Sequence, residues 1–172
     1  MVKDAATPQA LAGGAAPHYD PTHQAPILQA MQERKDGAMS SQPAQARTPG
    51  AKRAGPGEYL FDLSRVNHIK GGPDYSSVEG GVVEGDRMIV ALMRMPAGTG
   101  AVAHSHPNEQ WIYILEGTFR AKIGDSEVVA KPGSVVYVPS NVVHSAEATP
   151  DGDVVFFTVK DASHSLHGTK AS

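Results

Sequence analysis

The residues of this chain best suited to chemistry are histidines. Eight occur in 172 residues, and three of them, His104, His106 and His144, fall where strand geometry can bring them together. His104 and His106 are two apart, and in a strand the i and i+2 side chains leave one face roughly 6.5–7 Å apart. Two imidazoles so placed can chelate one ion. Pro107 and Asn108 then bend the chain, after which Gln110 to Glu116 restarts as a strand with Gln110, Ile112 and Ile114 on one face. Glu109 and Trp111 point the other way. Glu109 would turn inward only if the bend bulged by one residue; otherwise it is a solvated carboxylate or one that orients a ligand imidazole. His144 begins a strand just after the tight turn Pro139-Ser140-Asn141, and in an antiparallel barrel that strand can lie beside the one carrying His104.

The elements that must hold these groups are short. From Glu58 onward, β-branched and aromatic runs are punctuated by Gly, Pro, Asn and Asp. Strands are expected at 59–62, 75–84, 88–95, 102–106, 111–116, 118–123, 127–130, 135–138, 144–148 and 154–159. No helical period of useful length occurs there. Many short strands at about ten-residue spacing argue for an all-β sandwich or barrel, of which the jelly roll is one form. Residues 1–57 read differently. They hold seven of the thirteen prolines and a single aromatic residue, Tyr19, with charge 6 − 4 = +2 against 9 − 14 = −5 for 58–172. Such a head buries little by itself. Within it, Pro26 to Arg34 has proline at a helix start and Ile27, Leu28 and Met31 at helical spacing, so a short amphipathic helix could dock on the body or on a second subunit. Gln42 to Gly57 reads as linker. The expected division is therefore a mostly irregular extension, 1–57, and a β domain, 58–172.

Two spaced patterns in the β region resemble the motifs of the cupin superfamily. The first, G-x5-H-x-H-x3/4-E-x6-G, reads here as Gly98, His104, His106, Gln110 and Gly117, with every spacing kept and Gln in place of the usual Glu. The second, G-x5-P-x-G-x2-H-x3-N, reads as Gly133, Pro139, Asn141 and His144, with Asn for the central Gly and Ala148 for the final Asn. Asn can adopt the left-handed turn that Gly supplies. The resemblance covers roughly residues 62–157. It implies a double-stranded β-helix, the jelly-roll barrel of cupins, holding one divalent metal ion through His104, His106, Gln110 and His144.

That ligand set is neutral, so nothing in it offsets the ion's double charge, and an anionic bidentate ligand such as an enolate would suit it. Imidazoles accept Fe, Zn, Ni, Cu or Mn. Many cupins with histidine-rich sites are Fe2+ dioxygenases that cleave C–C bonds, so the resemblance implies Fe2+ and a reaction of O2 with a small β-dicarbonyl or similar enolisable molecule. A non-redox metal-dependent lyase or isomerase, with Tyr113 or Tyr137 moving a proton, is the alternative. A metal- or ligand-binding barrel without turnover is another. Alternation from the ligands nominates Val102, Ile112, Ile114, Phe119, Tyr137 and Phe156 for the pocket, with Ala121 and Phe157 beside them, though plain core packing competes at each. Arg94 and Arg120 could meet an anion or simply be exposed. His18, His23 and His68 read as solvated, and the tail carrying His164 and His167 could close the barrel mouth.

Composition removes other classes. With no cysteine and a net charge of −3, the chain has no disulfide frame, no thiolate metal site and no electrostatic footprint for nucleic acid or an anionic membrane. No run approaches the roughly 20 apolar residues of a spanning helix, and the first residues lack a secretory core. A cytoplasmic protein is expected, as a homodimer joined through edge strands. Spacings for a Ser/His/Asp triad, a phosphate loop or paired carboxylates are missing.

Overall fold

The computed structural model describes residues 45–172. The helix expected within Pro26 to Arg34 and the histidines His18 and His23 lie outside them. Twelve strands follow one another: β1 (Lys52–Arg53), β2 (Ile69–Lys70), β3 (Glu79–Glu84), β4 (Met88–Met95), β5 (Gly100–Ser105), β6 (Gln110–Glu116), β7 (Phe119–Ile123), β8 (Ser126–Ala130), β9 (Val135–Val138), β10 (His144–Ala148), β11 (Val154–Asp161) and β12 (Thr169–Lys170). They form two sheets. One runs β1-β3-β4-β11-β6-β9, with β2 also pairing β3; the other runs β12-β5-β10-β7-β8. This is the jelly roll expected from the spacing, and no helix occurs among the described residues.

The core lies between the sheets, where alternation directs one face of each strand. In β11 every second residue from Val154 through Phe156 and Thr158 to Lys160 is buried. Strand β6 buries Ile112 and Ile114 and leaves Trp111, Tyr113 and Leu115 exposed. Phe119 meets Phe156 across the sheets in a tilted pair with ring centroids 6.1 Å apart, a geometry that aromatic quadrupoles favour.

Three local departures from the sequence reading have physical causes. The run 59–62 is not a strand, and Leu60 is 93% exposed; the free edge of β3 is already taken by β1 along Val83–Glu84 and by β2 along Glu79–Gly80. The segment read as linker supplies β1 and is anchored beside it. Buried Glu84 accepts the backbone N–H groups of Arg47 and Thr48 at 2.6 and 2.8 Å, and the Thr48 hydroxyl accepts the Leu166 N–H at 2.8 Å. Finally, β5 carries a bulge. It pairs with β10 at His144↔His104 and again at Ala146↔Ala101, so three steps on β5 match two on β10. Strand β10 stays in register with β7 throughout, which assigns the extra residue to β5.

Candidate metal centre

The three histidines come together from two strands of one sheet. His104 is in β5, His106 follows its end, and His144 opens β10 directly opposite His104. Asn141, which turns the chain into His144, has φ 62°, the left-handed conformation expected of it. One potential ligand nitrogen from each imidazole lies within 4.8 Å of the others, and all three residues are buried.

Backbone carbonyls set the protonation of each ring. Nδ1 of His104, His106 and His144 lies 2.8, 2.8 and 2.9 Å from the carbonyl oxygens of Val102, Asn108 and Val142. A carbonyl only accepts, so each Nδ1 carries the proton and each Nε2 keeps its lone pair. Burial reinforces this. It pushes His104 and His106 down to about 4 and lowers His144 in the same direction, because a charged imidazolium is costly away from water.

Gln110 reaches His106 from the other sheet. The Thr158 hydroxyl donates to the Trp111 carbonyl at 2.8 Å and so accepts from Gln110 Nε2 at 2.9 Å. The amide is thereby turned with Oε1 toward His106 Nε2, 3.0 Å away. Glu109 faces outward and accepts the Tyr137 hydroxyl at 2.8 Å, so no bulge brings it inward. Bare lone pairs on three nitrogens thus lie close together, with the Gln110 oxygen beside the His106 nitrogen. Ligands about 2.1 Å from one ion and at right angles are about 3.0 Å apart, the separation found between His106 and Gln110. The donor set fits a divalent ion of borderline softness, and the carbonyl bonds at Nδ1 are the kind of support that orients metal-binding imidazoles.

A cavity of about 70 Å³ opens on this cluster, room for a few waters. Apolar side chains including Met93, Ile112, Phe119, Val138, Phe156 and Leu166 line it.

Residues 91–160 match the family described as the cupin domain, a span that holds all four converging side chains. The chain carries a cupin domain. No curated protein matches it. Among solved structures it is similar to a cupin-like protein from Thermotoga maritima, at 24% identity over 62% of this chain and 83% of that one, TM-score 0.51. It is also similar to the polyketide cyclase RemF from Streptomyces resistomycificus, at 17% identity over 61% and 81%, TM-score 0.52. The cupin domain of Schizosaccharomyces pombe Cnp3 gives 18% identity over 60% and 74%, TM-score 0.51. At these identities the likeness is one of fold.

Within the cupin barrel the nominated pocket residues divide. Ile112, Phe119 and Phe156 line the cavity, as does Ala121. Ile114 is fully buried in the core and does not reach it. Val102 is 51% exposed, because the β5 bulge turns Ala101 inward with His104 and Val102 outward. Tyr137 pairs with Trp111 on the outer face and stacks on it at 4.5 Å; its inward neighbours on β9 are Val136 and Val138. Tyr113, exposed like Tyr137, does not line the cavity either. Arg94 and Arg120 sit in exposed ion pairs with Asp153 and Glu147. Phe157 lies on the opposite face of β11 from Phe156.

Two of the cavity residues that escaped the sequence reading carry ionisable groups. Tyr75 stacks on His104 with centroids 4.3 Å apart; burial raises its phenol pKa, and its oxygen accepts the Gly168 N–H at 2.7 Å. Gly72 makes room for it, since a Cβ there would meet the Tyr75 ring at 2.3 Å. The other is Lys160, whose inward position follows from continuing the β11 alternation one step past the expected strand end. The tail does cover the barrel: Leu166 lines the cavity, β12 pairs with β5, and His167 Nε2 lies 2.9 Å from the Lys70 carbonyl. His164 stays exposed.

Proposed function

We propose that this cupin is an Fe2+-dependent dioxygenase that cleaves a C–C bond in a small β-dicarbonyl or similarly enolisable compound. The observation that supports the reading is the clustering of one ligand nitrogen from each of three imidazoles within 4.8 Å of one another, with the Gln110 carboxamide oxygen 3.0 Å from the His106 nitrogen, beside a small, largely apolar cavity. His104, His106, His144 and Gln110 would hold the ion. When bound, a divalent ion supplies Lewis acidity and, as Fe2+, a one-electron partner for O2. The ligating side chains bring no negative charge, so an enolate with two adjacent oxygens completes the charge balance that a glutamate would otherwise provide. The apolar lining excludes water and strengthens that attraction. The cavity volume admits a small acyclic molecule and is too small for a sugar nucleotide.

Elemental analysis of protein purified without added metal, together with oxygen consumption on a panel of β-diketones, tests the proposal. About one iron per chain and oxygen uptake matched to substrate loss are expected. Turnover without oxygen would overturn the dioxygenase and favour a non-redox lyase or isomerase. Tyr75 supports that second reading: its phenol lines the cavity, whereas Tyr113 and Tyr137 are outside it.

Among the described residues no helix is long and apolar enough to cross a membrane. We further propose a cytoplasmic homodimer formed through edge strand β9 and its neighbour β6, where Trp111, Tyr113, Leu115, Val135 and Tyr137 leave an apolar outer face of the kind that marks interfaces. A monomer in light scattering at micromolar concentration would overturn the dimer.

A further inference from the structure

One inward-facing group in the cavity neither packs the core nor supports the converging ligands. Lys160 is 2% exposed and lines the cavity with the imidazoles. It is the direct cross-strand partner of Gln110, and residues opposite each other in an antiparallel pair project from the same face, with Cβ atoms about 4.5–5.5 Å apart. Its Nζ donates to the Leu166 carbonyl at 2.7 Å, and that is its one side-chain hydrogen bond among the described residues. An ammonium has three N–H donors. Among the described residues Lys160 also has no ion pair, although lysine is almost never fully buried without a partner. The neighbouring imidazoles and carboxamide are neutral and offer no counter-charge.

We infer that Lys160 receives an oxyanion of the substrate, so that the molecule bound beside His104, His106, His144 and Gln110 is a carboxylate-bearing one. This deepens the proposed function and rests on it. Lys160 is thus a specificity-determining residue: its ammonium hydrogen-bonds the carboxylate, while the enolisable oxygens meet the neighbouring ligand cluster. A neutral diketone would leave that ammonium unpaired, and an unpaired buried charge is the penalty by which a site rejects the wrong ligand.

The test compares two ligands that differ in one group. Pentane-2,4-dione and 2,4-dioxopentanoate share the β-dicarbonyl, and in the second a carboxylate replaces a methyl. Binding of each to the metal-loaded, full-length protein is measured calorimetrically without oxygen, for the wild type and for Lys160→Met, with metal content determined separately. The wild type is expected to prefer the carboxylate at least tenfold. Lys160→Met is expected to bring the two affinities within about threefold, by weakening the carboxylate and relieving the penalty on pentane-2,4-dione, with metal content as in the wild type. Lys160→Gln, which keeps a hydrogen bond to Leu166 within reach, provides the same comparison should the methionine variant fold poorly. A wild type with no preference, or a preference that survives both substitutions, overturns the role of Lys160. Failure of the wild type to take up metal instead overturns the proposed function, so the two failures are told apart by the metal assay.

Discussion

His106 Nε2 lies 3.0 Å from Gln110 Oε1, and neither atom has a proton to give. The His106 proton is on Nδ1, directed at the Asn108 carbonyl, and the Gln110 amide hydrogens point toward Thr158. Thr158→Val removes the acceptor that orients the amide while keeping the shape of the side chain. Affinity for a divalent metal should fall about 10- to 100-fold, the usual cost of losing such support, with little change in melting temperature. Competition against a chelator of known affinity measures it, and unchanged affinity would show that the amide needs no orienting partner.

Gln110→Glu adds the negative charge that the donor set lacks. Metal should bind about tenfold tighter or better, while an enolate, whose charge is then no longer needed, should bind more weakly. The two effects have opposite signs, so a chelator competition and a diketone titration on one sample separate them.

His104→Ala and His144→Ala each remove one of the converging nitrogens. Metal content should drop from about one per chain to a small fraction, and far-ultraviolet circular dichroism should be unchanged. Full occupancy in either variant would show that the three imidazoles do not act as one site.

Acid should destabilise the metal-free protein through its histidines. His104 and His106 titrate near 4 in the fold and near 6.5 when unfolded. Between those values the unfolded chain binds more protons, so stability is complete above about pH 6.5 and declines as pH falls toward 4. Each histidine contributes at most about 1.4 kcal/mol per pH unit. Denaturant titrations from pH 7 to 4 should show this slope, and stability that is flat over that window would contradict neutral buried rings. Lys160 acts in a different window. Burial pushes it down to about 7, so between about 7 and 10.5 the unfolded chain again holds the extra proton and stability rises with pH. Lys160→Met should accordingly melt higher than wild type at pH 6, with the gap narrowing toward pH 10.

Gly117 has φ 80°, and a Cβ there would sit 2.1 Å from the Asp153 carbonyl oxygen. Gly117→Ala should cost more than about 2 kcal/mol. A smaller loss in chemical denaturation would mean that the β6–β7 turn yields easily.

What the sequence made legible was whatever repeats at fixed spacing. Strands 88–95, 135–138 and 144–148 coincide with β4, β9 and β10 because their alternation is unbroken and turn residues bound them. The converging side chains were legible because each lies at a fixed distance from a glycine or proline that shapes the chain beside it. Lys160 was not, since a lysine at the end of an apolar run reads as the start of solvent. Tyr75 was hidden too, because its place over His104 depends on the space left by Gly72 and not on any strand period. Val102 went astray because alternation counted back from His104 cannot see the bulge in between, and Tyr137 because its facing is set by pairing with Trp111 across the sheet. The Lys52–Arg53 strand had no local signal at all; it exists because β3 offers an edge.

The β5 bulge makes the barrel tolerant of one kind of genetic change. Loss of a single codon at 102 or 103 would leave the reading frame intact and restore an even ladder, a repair by the standards of sheet regularity. It would also leave Ala101 and His104 two positions apart, so that both still face the interior. Loss of a single residue in this stretch should therefore be tolerated, and substitutions at the outward-facing Val102 should pass almost unnoticed.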